Sequence, residues 1–416
     1  MMLSRLLLFT GAAGLVTSTS YLLLVTIAAA RFRRNRRRPR WSFPAFPPVT
    51  LLKPVCGMEP GLQEHLTSFF EQQYPQYEII FGARRKDDPA LDVVRRISAV
   101  YPSVPVKIVI AGEPWQPNAK VCALVKMYEC ASCDYLIISD SDVQVDSNYI
   151  TDVVQPLRDA RNGMVTCLYR GKPTGGLWSK LEALGMSVEM TAGAIVANLL
   201  EGMRFALGPT MAIRRDALQA IGGFEALADY CSDDYILGRK VVESGRRVVM
   251  SHHVIDHVVI NRTFGDSMRH QIRWMKSTRC SRRAGHAGTA LTFAMPFGLL
   301  GLIGAGGLHH WILGVGLLSA AYLNRVFLSL VSGWSVVGDR HALLQAWLYP
   351  LRDLMGFVFW CASYGGRRIE WRGDWYQLDG CGRMVLEVPG AATLAHAIAD
   401  TEVTASTPTA VADRVS

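Results

Sequence analysis

The chain has 416 residues, half of them hydrophobic, and a net charge of +9. That length allows one large domain or two, with a sizeable core. Seven arginines fall between Arg31 and Arg40 and without them the excess drops to +2, so the positive charge is one local patch, which argues against nucleic-acid binding.

The first element is an uncharged apolar run from Leu6 to Ala30. It is long enough to cross a bilayer. Positive charge follows the run instead of mainly preceding it, which favours a retained anchor over a cleaved signal peptide. The positive-inside rule then puts Arg31–Arg40 in the cytoplasm and the N-terminus outside. Residues 41–48, rich in Pro and aromatic residues, read as a stiff linker.

A strand and helix alternation follows. Val49–Val55, Tyr77–Gly82, Val106–Ala111 and Tyr135–Ile138 read as strands, and Pro60–Gln72, Pro89–Ala99 and Lys120–Cys130 as helices. Such spacing predicts a mostly parallel sheet covered on both faces. Gly163–Tyr169 and Thr210–Arg214 give later strands, and Ser232 is placed to cap a helix carrying Asp233 and Asp234. Ala192–Leu207, apolar but holding Glu201 and Arg204, reads as an amphipathic helix lying in a membrane interface.

Ala290–Leu308, Trp311–Trp334 and Leu343–Tyr364 are apolar runs of spanning or near-spanning length, the first two separated only by His309-His310. Three spans after a cytoplasmic domain would leave Arg367, Arg368 and Arg372 outside, against the charge rule. The Arg352-Asp353 pair makes the third run the exception, re-entrant or interfacial. Residues 391–416, rich in Ala and Thr, read as a disordered tail.

Chemistry concentrates in four places. Asp140-Ser141-Asp142 follows the apolar strand Tyr135–Ile138 and so lies at the carboxyl edge of the sheet, where open α/β sheets bind ligands. Paired acids there repel unless a cation joins them. Asp87-Asp88-Pro89 and Ser232-Asp233-Asp234 serve equally as helix caps or as functional acids. His270-Gln271-Ile272-Arg273-Trp274 precedes the C-terminal apolar runs, and Trp274 alone could be an interfacial anchor. The basic residues Arg269, Arg273, Lys276, Arg279, Arg282 and Arg283 suit anionic headgroups, a diphosphate, or simple topogenic signalling. His252, His253 and His257 read as ordinary polar residues of a strand and its exit. The nine cysteines, Cys130 and Cys133 included, have no framework spacing and read as reduced.

Taken in order, Lys86-Asp87-Asp88-Pro89-Ala90, Asn118-Ala119-Lys120, Ser139-Asp140-Ser141-Asp142, Ser232-Asp233-Asp234-Tyr235 and Arg273-Trp274 resemble the ceramide-glucosyltransferase-like family 21 of glycosyltransferases, with its D, D, D and (Q/R)xxRW signature. The stretches Thr166–Trp178 and Gly222–Asp229 look like its bacterial hopanoid-biosynthesis-associated branch. The resemblance covers roughly residues 1–385. It implies an α/β fold, a GT-A nucleotide-sugar-binding (Rossmann-like) domain over 49–288. An anchor over 1–30, a basic and Pro-rich linker over 31–48, membrane helices over 289–365 and a tail over 366–416 would flank it.

The resemblance also implies roles. Asp88 would lie near the uracil, Asn118 and Lys120 on the donor side, and Asp140 and Asp142 at ribose and metal. Asp234 would be the general base, and Arg273 and Trp274 would close over diphosphate and acceptor. His270 stands where the family often has Gln or Arg, and counts among the donor-binding residues. The activity implied is inverting transfer, in one displacement, from a UDP-sugar to a lipid hydroxyl, with Mg²⁺ or Mn²⁺ on Asp142. The branch resemblance implies N-acetylglucosamine and a polyhydroxylated hopanoid such as bacteriohopanetetrol, in a bacterial inner membrane with the catalytic domain cytoplasmic. Rival readings are a ceramide or sphingolipid glucosyltransferase, a processive polysaccharide synthase, and a non-catalytic membrane scaffold. The few C-terminal spans argue against a synthase pore, and the intact acids argue against a scaffold.

Overall fold

The computed structural model describes residues 1–36, 46–259, 261, 263–371 and 373–387. Most of the expected linker, Arg37 to Arg40 of the basic patch, Arg372 and the segment 391–416 lie outside the described residues.

A long helix, α1 (Met2–Arg36), opens the chain. The main sheet and its helices follow as β1 (Val49–Pro54), α2 (Leu62–Phe70), β2 (Tyr77–Ala83), α3 (Pro89–Val100), β3 (Val106–Ile110), α4 (Ala119–Glu129), β4 (Tyr135–Ser139), β5 (Val143–Gln144), α5 (Tyr149–Val154) and β6 (Asn162–Pro173). Next come α6 (Gly176–Gly185), running through a π turn into α7 (Thr191–Glu201), then β7 (Thr210–Arg214), α8 (Arg215–Ala220), α9 (Asp233–Glu243) and β8 (Arg247–Val259). The C-terminal part holds α10 (Phe264–Ser281), α11 (Arg283–Thr289), α12 (Met295–Gly306), α13 (Trp311–Leu328), α14 (Arg340–Leu344), α15 (Tyr349–Ala362), β9 (Arg368–Trp371), β10 (Asp374–Leu378) and β11 (Met384–Leu386).

The main sheet has the order β3-β2-β1-β4-β7-β6-β8-β5. The four strands read first from the sequence pair in parallel, with Val49 opposite both Tyr77 and Tyr135. The expectation of a mostly parallel sheet needs correcting beyond β4. There β7 inserts antiparallel between β4 and β6, and β5 pairs antiparallel with β8. The result is a mixed α/β sheet. Leu51, Leu52, Ile79, Ile80, Ile137 and Ile138 are fully buried within it, as strands covered on both faces require.

Among the described residues, three helices are long and apolar enough to cross a membrane: Met2–Arg36, Gly176–Glu201 and Trp311–Trp334. A fourth arises if Arg283–Thr292 and Met295–Gly306, bent by 48° at their junction, form one span. The middle candidate is 67% enclosed by protein. It replaces the interfacial helix expected over Ala192–Leu207. That segment ends its helix at Glu201 and buries Ala192, Ala194, Ile195 and Val196 in the main core.

Glycines let α1 and α12 approach closely, as small residues do in membrane helix pairs. A Cβ on Gly304 would lie 2.4 Å from the Leu8 backbone, and one on Gly11 2.5 Å from that of Gly301. Gly304→Leu is therefore expected to cost about 1–3 kcal/mol by overpacking, read as a lower melting temperature of the detergent-solubilised protein.

The hairpin between α12 and α13 turns at His309, which has φ 62°. It carries the chain away and back, so both ends of the pair lie on one side. The third apolar run holds no helix of spanning length. Its helix α15 has 14 residues, about 21 Å against a hydrocarbon core of about 30 Å. Its two charges face inward. Asp353 pairs with Arg325 at 3.1 Å and accepts from the backbone N–H groups of Ala294 and Met295, and Arg352 pairs with Glu189 at 2.9 Å.

Residues 366–387, read from the sequence as the start of a tail, instead fold into a three-stranded antiparallel sheet, β11-β10-β9. Ile369, Tyr376, Leu378 and Met384 pack there against Cys231 and Cys280. The Met384 N–H donates to the Asp229 carbonyl at 2.7 Å, and that of Cys231 to Gly382 at 3.2 Å. This docking holds Arg367 and Arg368 beside the domain built on the main sheet.

Candidate active site

The acids of Asp140-Ser141-Asp142 leave β4 at the carboxyl edge of the sheet. Each has its own basic partner. Lys120, one residue inside α4, reaches Asp140 at 2.5 Å. Burial works against the Lys120 ammonium, but Asp140, Asp233 and Asp234 outweigh it and raise its pKa. Burial raises the pKa of Asp140, and Asp142 adds to the rise while Lys120 opposes it. For Asp142 burial also pushes upward, but His257, Lys53 and Lys120 prevail and hold it at about 2.

The partner of Asp142 is His257, with Nε2 3.1 Å from Oδ2. The antiparallel β5–β8 pairing sets Val143 opposite His257, and the Val258 N–H donates to the Asp142 carbonyl at 2.9 Å. The reading of His257 as an ordinary polar residue is thereby corrected: it stands in the acid cluster. His253 meets Asp152 at 3.0 Å, and His252 stacks edge-on against Phe32, so those two stay outside it. Lys53 was also missed. It is fully buried on β1, with its ammonium 3.7 Å over the Phe69 ring and a hydrogen bond to the Asp140 carbonyl. Burial lowers its pKa to about 7, although Asp140 and Asp142 pull the other way.

Asp142 Oδ1 is buried without a hydrogen-bond partner. A bare carboxylate oxygen beside an imidazole fits a divalent cation. Among the described residues there is no group of three or more His, Cys, Asp or Glu side chains placed to hold a metal. The donor set therefore suits a cation completed by substrate phosphate oxygens, the usual mode for Mg²⁺.

The second acidic pair begins α9. Ser232 stands at its N-cap position but its hydroxyl makes no capping bond; it bonds Ser277 and Ser281 of α10 instead. The expected cap is thus a tie between α9 and the helix carrying Arg273 and Trp274. Asp233 accepts from Asn118 at 3.2 Å. Asp234 accepts from the N–H of Tyr235 at 2.7 Å and from that of Gly208. The neighbouring Pro209 carbonyl accepts from Asp140 at 3.1 Å, so Gly208-Pro209 supports both acidic groups. A Cβ on Gly208 would lie 2.9 Å from Asp234 Oδ2. Burial, then Asp233, raises the Asp234 pKa to about 6.

Two candidates carry local structural duties. Asp88 caps α3 through Ala90 and takes the Gly57 N–H, both at 2.9 Å. Asn118 is fully buried, caps α4 through Val121 at 3.1 Å and donates to the Tyr230 carbonyl at 2.9 Å. Both bonds pin the start of a helix, and Asn118 links the one that carries Lys120 to the one that carries Asp234.

On α10, His270 Nδ1 lies 2.8 Å from Glu182, a residue 1% exposed that sequence reading did not single out. The His270 ring sits 4.3 Å from that of Trp274, which packs against the main core. The basic cluster of this helix is largely spent on protein. Lys276 donates to the Arg368 carbonyl at 2.8 Å, Arg279 to that of Gly366 at 2.7 Å and Arg283 to that of Gly380. Arg282 pairs with Glu201, and Arg269 with Asp266. Lys276, Arg279 and Arg283 thus dock the small sheet.

The sequence pattern of Glycosyl transferase family 21 matches residues 11–384. The chain belongs to this family. It is 28% identical over 211 residues to ceramide glucosyltransferase 1 of Caenorhabditis elegans, covering 50% of this chain and 45% of that one. It is 34% identical over 123 residues to the ceramide glucosyltransferase of Komagataella phaffii, covering 28% and 24%. The chain thus spans half or less of the length of these relatives. Among solved structures it is similar to the mannosyltransferase PcManGT from Pyrobaculum calidifontis, in complex with GDP-Man and Mn²⁺. The TM-score is 0.49 at 17% identity, over 84% of this chain and 98% of that one. It is also similar to S. aureus TarS 1-349 in complex with UDP-GlcNAc, with a TM-score of 0.39 at 12% identity, over 82% and 99%.

Proposed function

We propose that this family 21 chain is a membrane-bound inverting glycosyltransferase that moves a sugar from a UDP-sugar to a lipid hydroxyl. One observation carries the reading. At one sheet edge, Asp140 and Asp142 with their partners Lys120 and His257 stand beside Asp234, whose raised pKa suits a proton acceptor near neutrality. Asp234 takes the proton of the acceptor hydroxyl. The hydroxyl oxygen then bonds to the anomeric carbon as the bond from that carbon to the diphosphate breaks, and UDP leaves. Lys120 and Arg273 would meet the charge that develops on the diphosphate. A divalent cation, Mg²⁺ or Mn²⁺, would be held by Asp142 and His257, with Asp140 adjacent, and would neutralise that same charge.

The apolar helices α1, α12 and α13 bring the acceptor's environment to the domain, which supports a lipid substrate. Two acceptors have support. The stretch Thr166–Trp178 favours N-acetylglucosamine transfer to a polyhydroxylated hopanoid in a bacterial inner membrane, with the catalytic domain on the cytoplasmic side with Arg31–Arg36. The printed names of the curated relatives favour glucose transfer to ceramide. Lipid mass spectrometry decides between them, using purified protein, UDP-N-acetylglucosamine or UDP-glucose, and bacteriohopanetetrol or ceramide. An N-acetylhexosamine adduct on the hopanoid is the expected result, and a hexose on ceramide transfers the proposal to the second acceptor. No adduct from any pairing, with UDP-sugar turnover also absent, would overturn it.

A further inference from the structure

A cavity of about 240 Å³ opens at the carboxyl ends of β1, β2 and β3, and Lys120 and Ser141 line it. Ser141 stands between the two acids of the cluster, so the cavity adjoins the place where a diphosphate would lie. Three further lining residues, Trp371, Asp374 and Tyr376, come from the small C-terminal sheet. That sheet lies beyond the membrane helices in sequence, and no motif of the catalytic domain includes it.

Resting on the nucleotide-sugar reading above, we propose that β9 and β10 form one wall of the nucleoside site. Trp371 is the stacking face for a pyrimidine base, and Asp374 reads an N–H on the base edge.

The wall is fixed in place. Backbone hydrogen bonds tie β11 and the turn before it to Asp229 and Cys231, and Lys276 and Arg279 of α10 hold the carbonyls of Arg368 and Gly366. Tyr376 is buried against the Cys231 cluster, so the ring edge it turns to the cavity is rigid.

Trp371 is half-buried and borders a second cavity of about 370 Å³, shared with His270 and Arg273. The indole therefore stands between the donor cavity and the motif helix. The Arg273 guanidinium lies 5.4 Å from its ring centre, within the range of cation–π attraction. A nucleobase stacked on this ring would be felt by the motif arginine through one side chain.

The polar groups match a uracil edge. That edge presents carbonyl, N–H and carbonyl in a row. Arg84, which lines the cavity from β2's exit, carries donors only, and Asp374 carries acceptors only. One reads a carbonyl and the other the N–H between the carbonyls.

Calorimetric titration of UDP, with Mn²⁺ present, into the full chain in detergent tests the wall. Wild type is compared with Trp371→Ala, Trp371→Phe and Asp374→Asn, and each is titrated in parallel with pyrophosphate. Trp371→Ala is expected to weaken UDP about tenfold, as the loss of one base–aromatic stack does, with Phe restoring most of it. Asp374→Asn alters an exposed side chain and should weaken UDP severalfold. Pyrophosphate binding should be unchanged in all. UDP affinity equal to wild type in both Trp371→Ala and Asp374→Asn would overturn the proposal. So would a parallel loss of pyrophosphate binding, because the sheet would then only support the fold. If wild type itself binds no UDP, the nucleotide-sugar reading falls first.

Discussion

Asp234→Asn is expected to cut lipid glycosylation by about 10²–10⁴-fold, the usual worth of a positioned general base, while UDP binding stays within a factor of two or so of wild type. The amide keeps the shape and can still accept from the N–H groups of Tyr235 and Gly208. It cannot take a proton. The pH profile of the wild-type enzyme should report the same group. Burial and the neighbouring Asp233 raise the Asp234 pKa to about 6. A base must be ionised to act, so kcat/KM should be level above that pH and fall tenfold per unit below it. Asp233→Asn removes the second-largest cause of the rise and should move the acid limb to lower pH. It should leave the plateau nearly unchanged, since Asn118 can still donate to the new amide oxygen. A profile with no limb near pH 6, or one that Asp233→Asn does not move, would transfer the base role to another residue.

How much of this site could be read in advance depended on how far apart in sequence its parts lie. Asp140 and Asp142 were legible because an apolar strand ending in Asp-x-Asp needs no distant partner to place it. The same holds for α3, where Asp88 before Pro89 gives a local cap. His257 was not legible. Its partner Asp142 lies 115 residues away, and only the short β5–β8 pairing brings them together. Lys53 was hidden for a different reason. A lysine near the end of an apolar strand reads as an edge residue, and nothing local shows that Phe69 and the Asp140 carbonyl will enclose its ammonium. Ser232 was misread because Ser before two acids is good capping chemistry, whereas α10 competes for the hydroxyl through Ser277. The small sheet was missed because its strands are short, and their one apolar face, Ile369, Tyr376, Leu378 and Met384, is completed only by Cys231 and Cys280 from far back in the chain. Arg352-Asp353, by contrast, did signal a helix with a face turned to protein, since two charges in an apolar run must face protein.

The second large effect concerns the bare oxygen of Asp142. Asp142→Asn is expected to lower kcat/KM by about three orders of magnitude, the scale of several kcal/mol of charge stabilisation. The substitution keeps a hydrogen-bonding side chain beside His257 but removes the anionic oxygen that has no other partner. A readout independent of turnover is the dependence of UDP affinity on Mn²⁺ or Mg²⁺. Wild-type protein stripped with a chelator should bind UDP weakly and recover on adding the ion. Asp142→Asn should bind UDP weakly in both conditions. His257→Ala should fall between them, because the carboxylate remains and only the imidazole is lost. The pattern separates a cation site from a mere ion pair. If Asp142 served only to hold His257, the two variants would weaken UDP equally and the ion would change nothing in wild type. Lys120 and Arg273 would then carry the diphosphate charge alone. In that case Lys120→Ala, which strips Asp140 of its 2.5 Å partner, would become the more damaging substitution. With a cation present the order reverses, because the ion supplies two positive charges where Lys120 supplies one.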